Sequence, residues 1–296
     1  MTVKDAFDAF YAGCKKCKKT GRPFNLSFRS KKDPVQSCFI PHEAITEKGI
    51  YQSKSGKVKF SERIPENAKD SRLIFDHGRW YLNVPYSQKV AKAENQGRVI
   101  SLDPGVRTFM TGFTENEAFK IGAGDFNRIM RLGFTMDKLN SKIKKAKCRD
   151  KVSLKKALNR LKWKVWDLIE ELHFKTISYL LQNYDVILLP TFETSQMVVK
   201  STRDIKAKTV RAMMTFSFYQ FSQRLISKAA TIGKKVLRVS EAYTSCTASW
   251  TGEVKKIGSA KTITSKGVKV DRDINGARGI FLRALRDTAS ASLSVV

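Results

Sequence analysis

Between Ile129 and Leu172 the chain repeats apolar residues at helical spacing twice in succession. Ile129, Leu132, Met136, Leu139 and Ile143 form the first series; Leu154, Leu158, Leu161, Val165, Leu168 and Leu172 form the second. A period near 3.6 gives each helix one apolar seam, so the spacing predicts two long helices packed as an antiparallel hairpin. Val186-Ile-Leu-Leu189 follows, an uninterrupted apolar run of the kind a strand carries when both its faces are covered. Three short strands are expected before the hairpin, at Arg98–Asp103, Thr108–Phe113 and Ala118–Ile121, with turns at Gly105 and Thr114–Asn116. After it, one helix from about Thr209 to Ile232 is stopped by Gly233, and Lys235–Val239 reads as a further strand. A meander followed by helix–strand alternation predicts an α/β sheet of mixed direction covered by helices.

The N-terminal third reads differently. Residues 3–19 form an amphipathic helix with Val3, Ala6, Phe7 and Phe10 on one face, ended by Gly21 and Pro23. From Phe24 to Tyr86 the pattern is of short alternating segments, including a hairpin that turns at His77-Gly78. The tail after Asp287 is rich in Ser, Ala and Val and is expected to be loose. Lys and Arg number 56 against 27 Asp and Glu, a formal charge of +29. Such an excess repels itself and favours a polyanion, and phosphate backbones reward it through counterion release. No apolar run is long enough to span a bilayer and the start lacks a secretory signal, so a membrane role and secretion are not expected. The five cysteines are sparse and odd in number, which excludes a disulfide framework; Cys14-Lys-Lys-Cys17 reads as two thiols on a helix. Lys144, Lys145, Lys147, Arg149, Lys151, Lys155, Lys156 and Arg160 surround the helical connection, either as a solvated charged tip or as phosphate contacts.

Three acidic residues share a placement that the others lack. Asp103 closes an apolar strand, Glu193 lies just beyond the buried strand Val186–Leu189, and Asp273 sits where the final helix opens. Strand ends and helix starts are where open α/β sheets present chemistry. Carboxylates gathered there repel one another unless hard divalent cations neutralise them, and a pair of such cations is the usual arrangement for phosphodiester cleavage. Each residue also has a structural alternative. Asp103 would cap the following turn, and Asp271 or Asp273 would cap the last helix.

The surrounding sequence adds to this. Ser101-Leu-Asp-Pro-Gly-Val-Arg-Thr-Phe109 resembles the first RuvC motif of the TnpB/Fanzor family, Tyr184-Asp-Val-Ile-Leu-Leu-Pro-Thr-Phe-Glu193 the second, and Asp271-Arg-Asp-Ile-Asn-Gly-Ala-Arg278 the third. They occur in family order, and Tyr243-Thr-Ser245 matches the stretch before the family's zinc ribbon. The resemblance covers nearly all of residues 1–287. It implies an RNase H-like RuvC domain with a helical hairpin insertion, preceded by a partial, wedge-like β-barrel domain. The division implied is 1–97 wedge-like, 98–243 RuvC-like, 244–270 ribbon-like insert and 271–296 C-terminal RuvC helix and tail. Carried over by position, Asp103, Glu193 and Asp273 are the catalytic metal ligands, for Mg²⁺ or Mn²⁺, with Asp271, Asn275 and Arg278 in support.

The activity implied is that of an RNA-guided DNA endonuclease of a transposable element, with guide RNA and target DNA as partners. Its setting is the nucleus for a eukaryotic or viral source and the cytoplasm for a bacterial one. Two departures stand out. Ala248 and Thr251 occupy the place of the ribbon's first Cys pair, and Thr264–Val270 contains no Cys, so four ligands cannot be assembled and no zinc is expected. The chain also starts inside the wedge-like region, without the recognition lobe of longer family members. The alternatives are therefore a non-cleaving RNA/DNA-binding relic or repressor, and the nuclease fragment of a longer protein. A strand-joining transposase shares two-metal chemistry, but the motif contexts favour RuvC. The oligomeric state is left open.

Overall fold

A computed structural model describes residues 3–21, 35–90, 97–192, 194–200, 205–240, 244–255, 258 and 260–293. The chain divides into two compact units, residues 1–89 and 90–296.

The first unit opens with α1 (Val3–Thr20), closed by Gly21 in the left-handed region. Then come β1 (Val35–Ile40), the short ladder of β2 (Ile45–Thr46) and β3 (Gly49–Ile50), and α2 (Gln52–Ser55). β4 (Ser71–Asp76) and β5 (Arg79–Asn83) complete an antiparallel sheet in the order β1-β4-β5. The hairpin turns where expected. His77 and Gly78 both have positive φ, which a two-residue turn needs if its twist is to match that of the strands. Among the described residues this unit is an open three-stranded sheet with a small ladder.

The second unit is built on one five-stranded sheet. β6 (Val99–Pro104), β7 (Met110–Phe113) and β8 (Ala118–Ile121) form an antiparallel meander. α3 (Asp125–Lys145) and α4 (Cys148–Asn183) follow, packed together across a two-residue connection. β9 (Val186–Pro190) then adds parallel to the free side of β6. The chain continues through α5 (Thr194–Met197), α6 (Ala207–Phe216) and α7 (Phe218–Thr231) to β10 (Lys235–Val239), which is parallel to β9. The sheet order is β10-β9-β6-β7-β8. A hairpin of β11 (Thr262–Ser265) and β12 (Val268–Asp271) leads into α8 (Arg272–Leu293).

The period-two alternation of strands decides which side chain meets which layer. On β6, Ile100 and Leu102 enter the larger core with α4, α6 and α7, while Ser101 points the other way and donates its hydroxyl to Ala277 O on α8 at 2.7 Å. β9 does the same. Ile187 and Leu189 join the larger core, and Leu188 packs with Val239, Ile280 and Phe281 beneath α8. The continuous apolar run of β9 is thus covered on both faces.

The starts of the parallel strands are pinned together. Asp185, 3% exposed, accepts the backbone N–H of Arg98 at 3.2 Å and pairs with Lys234 at 3.3 Å. Burial raises its pKa, but the Arg98 hydrogen bonds and Lys234 outweigh burial and hold the carboxyl below its ordinary range. Asp185 thus ties the chain entering β6 to the chain entering β10, on either side of the start of β9.

Two expectations need correction. The helix expected over Thr209–Ile232 is broken at Ser217, which adopts φ 50° and ψ 52°. The cause is tertiary. Phe216 and Phe218 both turn onto Phe109, at centroid distances of 5.5 and 5.4 Å, and an unbroken helix would set them about 200° apart, on nearly opposite faces. The tail after Asp287 was expected to be loose, yet its backbone stays helical to Leu293, carried on by α8. No helix among the described residues is long and apolar enough to cross a membrane.

Candidate active site

Asp103 is the penultimate residue of β6, half-buried, paired in register with Thr111 of β7. Alternation puts its side chain on the same face as Ser101, toward α8. There the helix presents Gly276, and the approach is close. A Cβ at position 276 would stand 2.5 Å from Asp103 Oδ2 and 3.2 Å from its carboxyl carbon. Only a residue without a side chain leaves room for that carboxylate. Asp273 and Gly276 are three residues apart, so they share one face of α8, about one turn or roughly 5 Å along the axis. The first and third motifs therefore meet.

Asp271, two residues before Asp273, is occupied differently. Its Oδ1 accepts the backbone N–H groups of Asp273 at 3.0 Å and Ile274 at 3.3 Å, which is the geometry of a helix N-cap. Its Oδ2 accepts from Lys120 Nζ of β8 at 2.7 Å. Burial raises the Asp271 pKa, but Lys120 and the cap N–H groups prevail and keep it below the ordinary carboxylate value. Asp273 pairs loosely with Arg272, whose Nε stands 3.7 Å from its Oδ1. Glu193 lies outside the described residues. Among the described residues no group of three or more His, Cys, Asp or Glu side chains is arranged to hold a metal ion. Carboxylates such as Asp103, beside Gly276, and Asp273, on the same helix one turn away, are hard oxygen donors of the kind that suits Mg²⁺ or Mn²⁺.

Asn275 and Arg278 work on the opposite side of the helix. Asn275, fully buried, accepts the Ser249 N–H at 2.9 Å and donates to Thr244 O and Thr247 O at 3.3 and 2.8 Å. Arg278 donates to Ser249 Oγ at 3.2 Å. Both tie residues 244–249 to α8. The ribbon-like insert is held by a polar cluster in which Ser265 Oγ meets Thr251 Oγ1 at 2.8 Å and donates to Glu253 Oε2 at 2.6 Å. Trp250 Nε1 donates to Ser265 O, and Ala248 and Ile263 are buried. Sequence reasoning registered only the missing cysteines; a Ser, a Thr and a Glu at those places were the signal it passed over.

The loop after Asp103 is clamped by Phe109. Its ring stacks on Phe218 at 5.4 Å and on His173 at 5.4 Å, with Phe221 edge-on at 5.1 Å. His173 is fully buried. Arg224 donates to its Nδ1 at 3.2 Å, and since a guanidinium only donates, the ring proton sits on Nε2 and goes to Phe216 O at 2.8 Å. Burial, opposed by that hydrogen bond and assisted by Arg224, pushes the imidazole pKa down to about 4.

Away from the site, Lys144, Lys145, Lys147, Arg149, Lys155 and Arg160 are all exposed at the α3–α4 tip. None forms an ion pair among the described residues.

These features define a mixed α/β protein that presents carboxylates from a strand end and a helix start. Residues 218–280 match the family model described as Cas12f1-like, TNB domain. A TnpB-like protein of Acanthamoeba polyphaga mimivirus is 26% identical over 275 residues, covering 90% of this chain and 52% of the relative. A second TnpB-like protein of the same virus is 28% identical over 239 residues, covering 78% and 46%. A protein of Paramecium bursaria Chlorella virus 1 named as a transposase is 30% identical over 247 residues, covering 80% and 55%. The chain belongs to the TnpB family. It spans about half the length of the curated relatives it matches. Among solved structures it resembles a Cas12f1–sgRNA–target DNA complex with a TM-score of 0.49 at 14% identity, over 72% of this chain and 45% of that one. It resembles the RNA-guided endonuclease Cas_phi3 with a TM-score of 0.43 at 14% identity, over 74% and 52%.

Proposed function

We propose that this chain is an RNA-guided, divalent-metal-dependent DNA endonuclease of a transposable element, hydrolysing phosphodiester bonds with Asp103, Glu193 and Asp273 as its metal ligands. One observation carries the reading. The carboxylate of Asp103 packs against Gly276, one turn from Asp273, although Asp103 and Asp273 are 170 residues apart in sequence. Asp271 already caps the helix, so capping does not account for Asp273, and the helix dipole, which favours any first-turn carboxylate, does not account for the approach of Asp103. The order β10-β9-β6-β7-β8, a meander extended by two parallel strands on the far side of β6, is that expected of an RNase H-like RuvC domain and supports the same reading.

Each chain element then has a task. β6 fixes Asp103 rigidly, Phe109 anchors the loop behind it, and Asp271 and Lys120 hold the first turn of α8 so that Asp273 is presented in one orientation. Divalent cations at these carboxylates would supply water activation and charge neutralisation at the phosphorus. The unpaired cations at the α3–α4 tip suit the phosphate backbones of guide RNA and target DNA, while base pairing supplies sequence. The 1–97 region fits a wedge-like nucleic-acid-binding role, and 244–270 a zinc-free ribbon.

The test is plasmid cleavage in Mg²⁺ by the chain purified with its co-expressed RNA. Asp103→Ala and Asp273→Asn are expected to abolish cutting. Asp271→Asn keeps a capping oxygen and is expected to cut at close to the wild-type rate. Cutting by Asp273→Asn with loss in Asp271→Asn would reverse the ligand assignment. RNA retention without cutting, in wild type and Asp103→Ala alike, would establish the non-cleaving binder instead.

A further inference from the structure

The first turn of α7 contains an anomaly. Phe218 and Phe221 are 4% and 0% exposed, yet Tyr219 between them is 70% exposed. Tyr219 lines a small cavity of about 30 Å³ together with Pro104, Pro190, Phe192, Ser222 and Arg238. Pro104 directly follows Asp103, and Pro190 ends β9, so the cavity opens beside the carboxyl ends of the two central strands. Ser222 stands one turn from Tyr219 on α7, and its hydroxyl accepts a hydrogen bond from Arg238 Nη2 at 3.2 Å. That bond holds the guanidinium on the Tyr219 side of the sheet. Arg238 is exposed and has no carboxylate partner among the described residues.

An aromatic ring in water beside an uncompensated guanidinium, on a rigid floor of two prolines and a phenylalanine, has the chemistry of a nucleotide seat. The ring offers a face for stacking, and the cation, hydrogen-bonded to Ser222 one turn along α7 and lining the same cavity, can take a phosphate. A base inside a duplex has both its faces covered by its neighbours and cannot use such a ring, so the occupant is an unpaired nucleotide. An acidic peptide would satisfy Arg238 but would leave the tyrosine face unexplained.

We propose that Tyr219 and Arg238 form a subsite for one unpaired nucleotide beside Asp103, with Tyr219 stacked on the base and Arg238 on the adjacent phosphate. The proposal rests on the nuclease reading for one point, that the strand seated here is the one to be cut. The subsite would strip one nucleotide out of its stack and set the backbone next to it beside the carboxyl ends of β6 and β9.

The experiment uses the full chain in EDTA, so that binding is read without cleavage. A single-stranded oligothymidylate of about ten nucleotides carrying 5-iodouracil is irradiated with the protein, and the crosslinked residue is mapped by mass spectrometry. Crosslinking at Tyr219 is expected. By fluorescence anisotropy, Tyr219→Ala is expected to weaken binding about tenfold, with Tyr219→Phe restoring it and an abasic oligonucleotide erasing the difference between the proteins. Arg238→Ala should lower the salt slope of log K by about 0.7. Crosslinks confined to other residues, or equal affinities for wild type, Tyr219→Ala and Tyr219→Phe, would overturn the proposal. A chain that never cuts DNA but still crosslinks at Tyr219 would sink the nuclease reading and leave the nucleotide seat standing.

Discussion

Lowering the pH below neutrality should attack this fold at one buried ring. His173 is fully buried among Phe109, Phe216 and Phe221, its Nδ1 accepting from Arg224 and its Nε2 donating to Phe216 O. A second proton would have to enter between Nδ1 and a guanidinium, which is why burial with Arg224 pushes the pKa down to about 4 from 6.5. Because the folded-state value is depressed, the unfolded chain binds this proton more readily. The stabilisation by neutral His173 is therefore complete above pH 6.5 and is lost as the pH falls toward 4. The full shift corresponds to about 3 kcal/mol, of which about 2 kcal/mol is gone by pH 5. Other groups titrate over the same range, so the measurement is a difference. Urea unfolding of wild type and His173→Gln is followed at pH 7 and pH 5 through the fluorescence of Trp163 and Trp166 on α4. Glutamine does not titrate, so the wild type should lose about 2 kcal/mol more than the variant between the two pH values. Parallel losses would refute the assignment of a buried, neutral His173.

Two further outcomes follow from the packing. Asn275→Ala strands the Ser249 N–H and the carbonyls of Thr244 and Thr247, and should cost about 3 kcal/mol, read as a lower melting temperature and early proteolysis within 244–255. A melting temperature unchanged within a degree would contradict that role. Ser217, at φ 50°, should accept Gly with a gain of up to about 1 kcal/mol, whereas Ser217→Val should lose about 2 kcal/mol or more. Equal melting temperatures for the two variants would mean that the helix break is not strained.

The sheet was legible because its signals are local. Val186–Leu189 is apolar throughout, and Asp103 visibly ends a strand before Pro-Gly. The hairpin helices announced themselves by period, as did the His77-Gly78 turn by composition. The break at Ser217 left no such trace, since apolar spacing continues through it and only the convergence of Phe216 and Phe218 on Phe109 forces it. The resemblance set Asp273 apart from Asp271, but that Asp271 is held as the helix cap and by Lys120, a residue from a strand laid down long before, was not legible in the sequence. Tyr219 was equally hidden. Its neighbours Phe218 and Phe221 read as core, and nothing in Phe-Tyr-Gln-Phe says which ring is left outside until the helix is docked.

The polar cluster of Ser265, Thr251 and Glu253 in the ribbon-like insert changes what that insert depends on. A ribbon closed by a metal folds only as far as the free ion concentration and the ionisation of its thiols permit. One closed by its own hydroxyls and a carboxylate folds by a unimolecular step, at a rate and to an extent set by the chain alone. The contacts of Ser265 with Thr251 and Glu253 are hydrogen bonds of hydroxyls and a carboxylate, which chelators and thiol oxidants do not remove. Under the proposed nuclease function, ion supply would then bear on the carboxylate site and not on the folding of this segment.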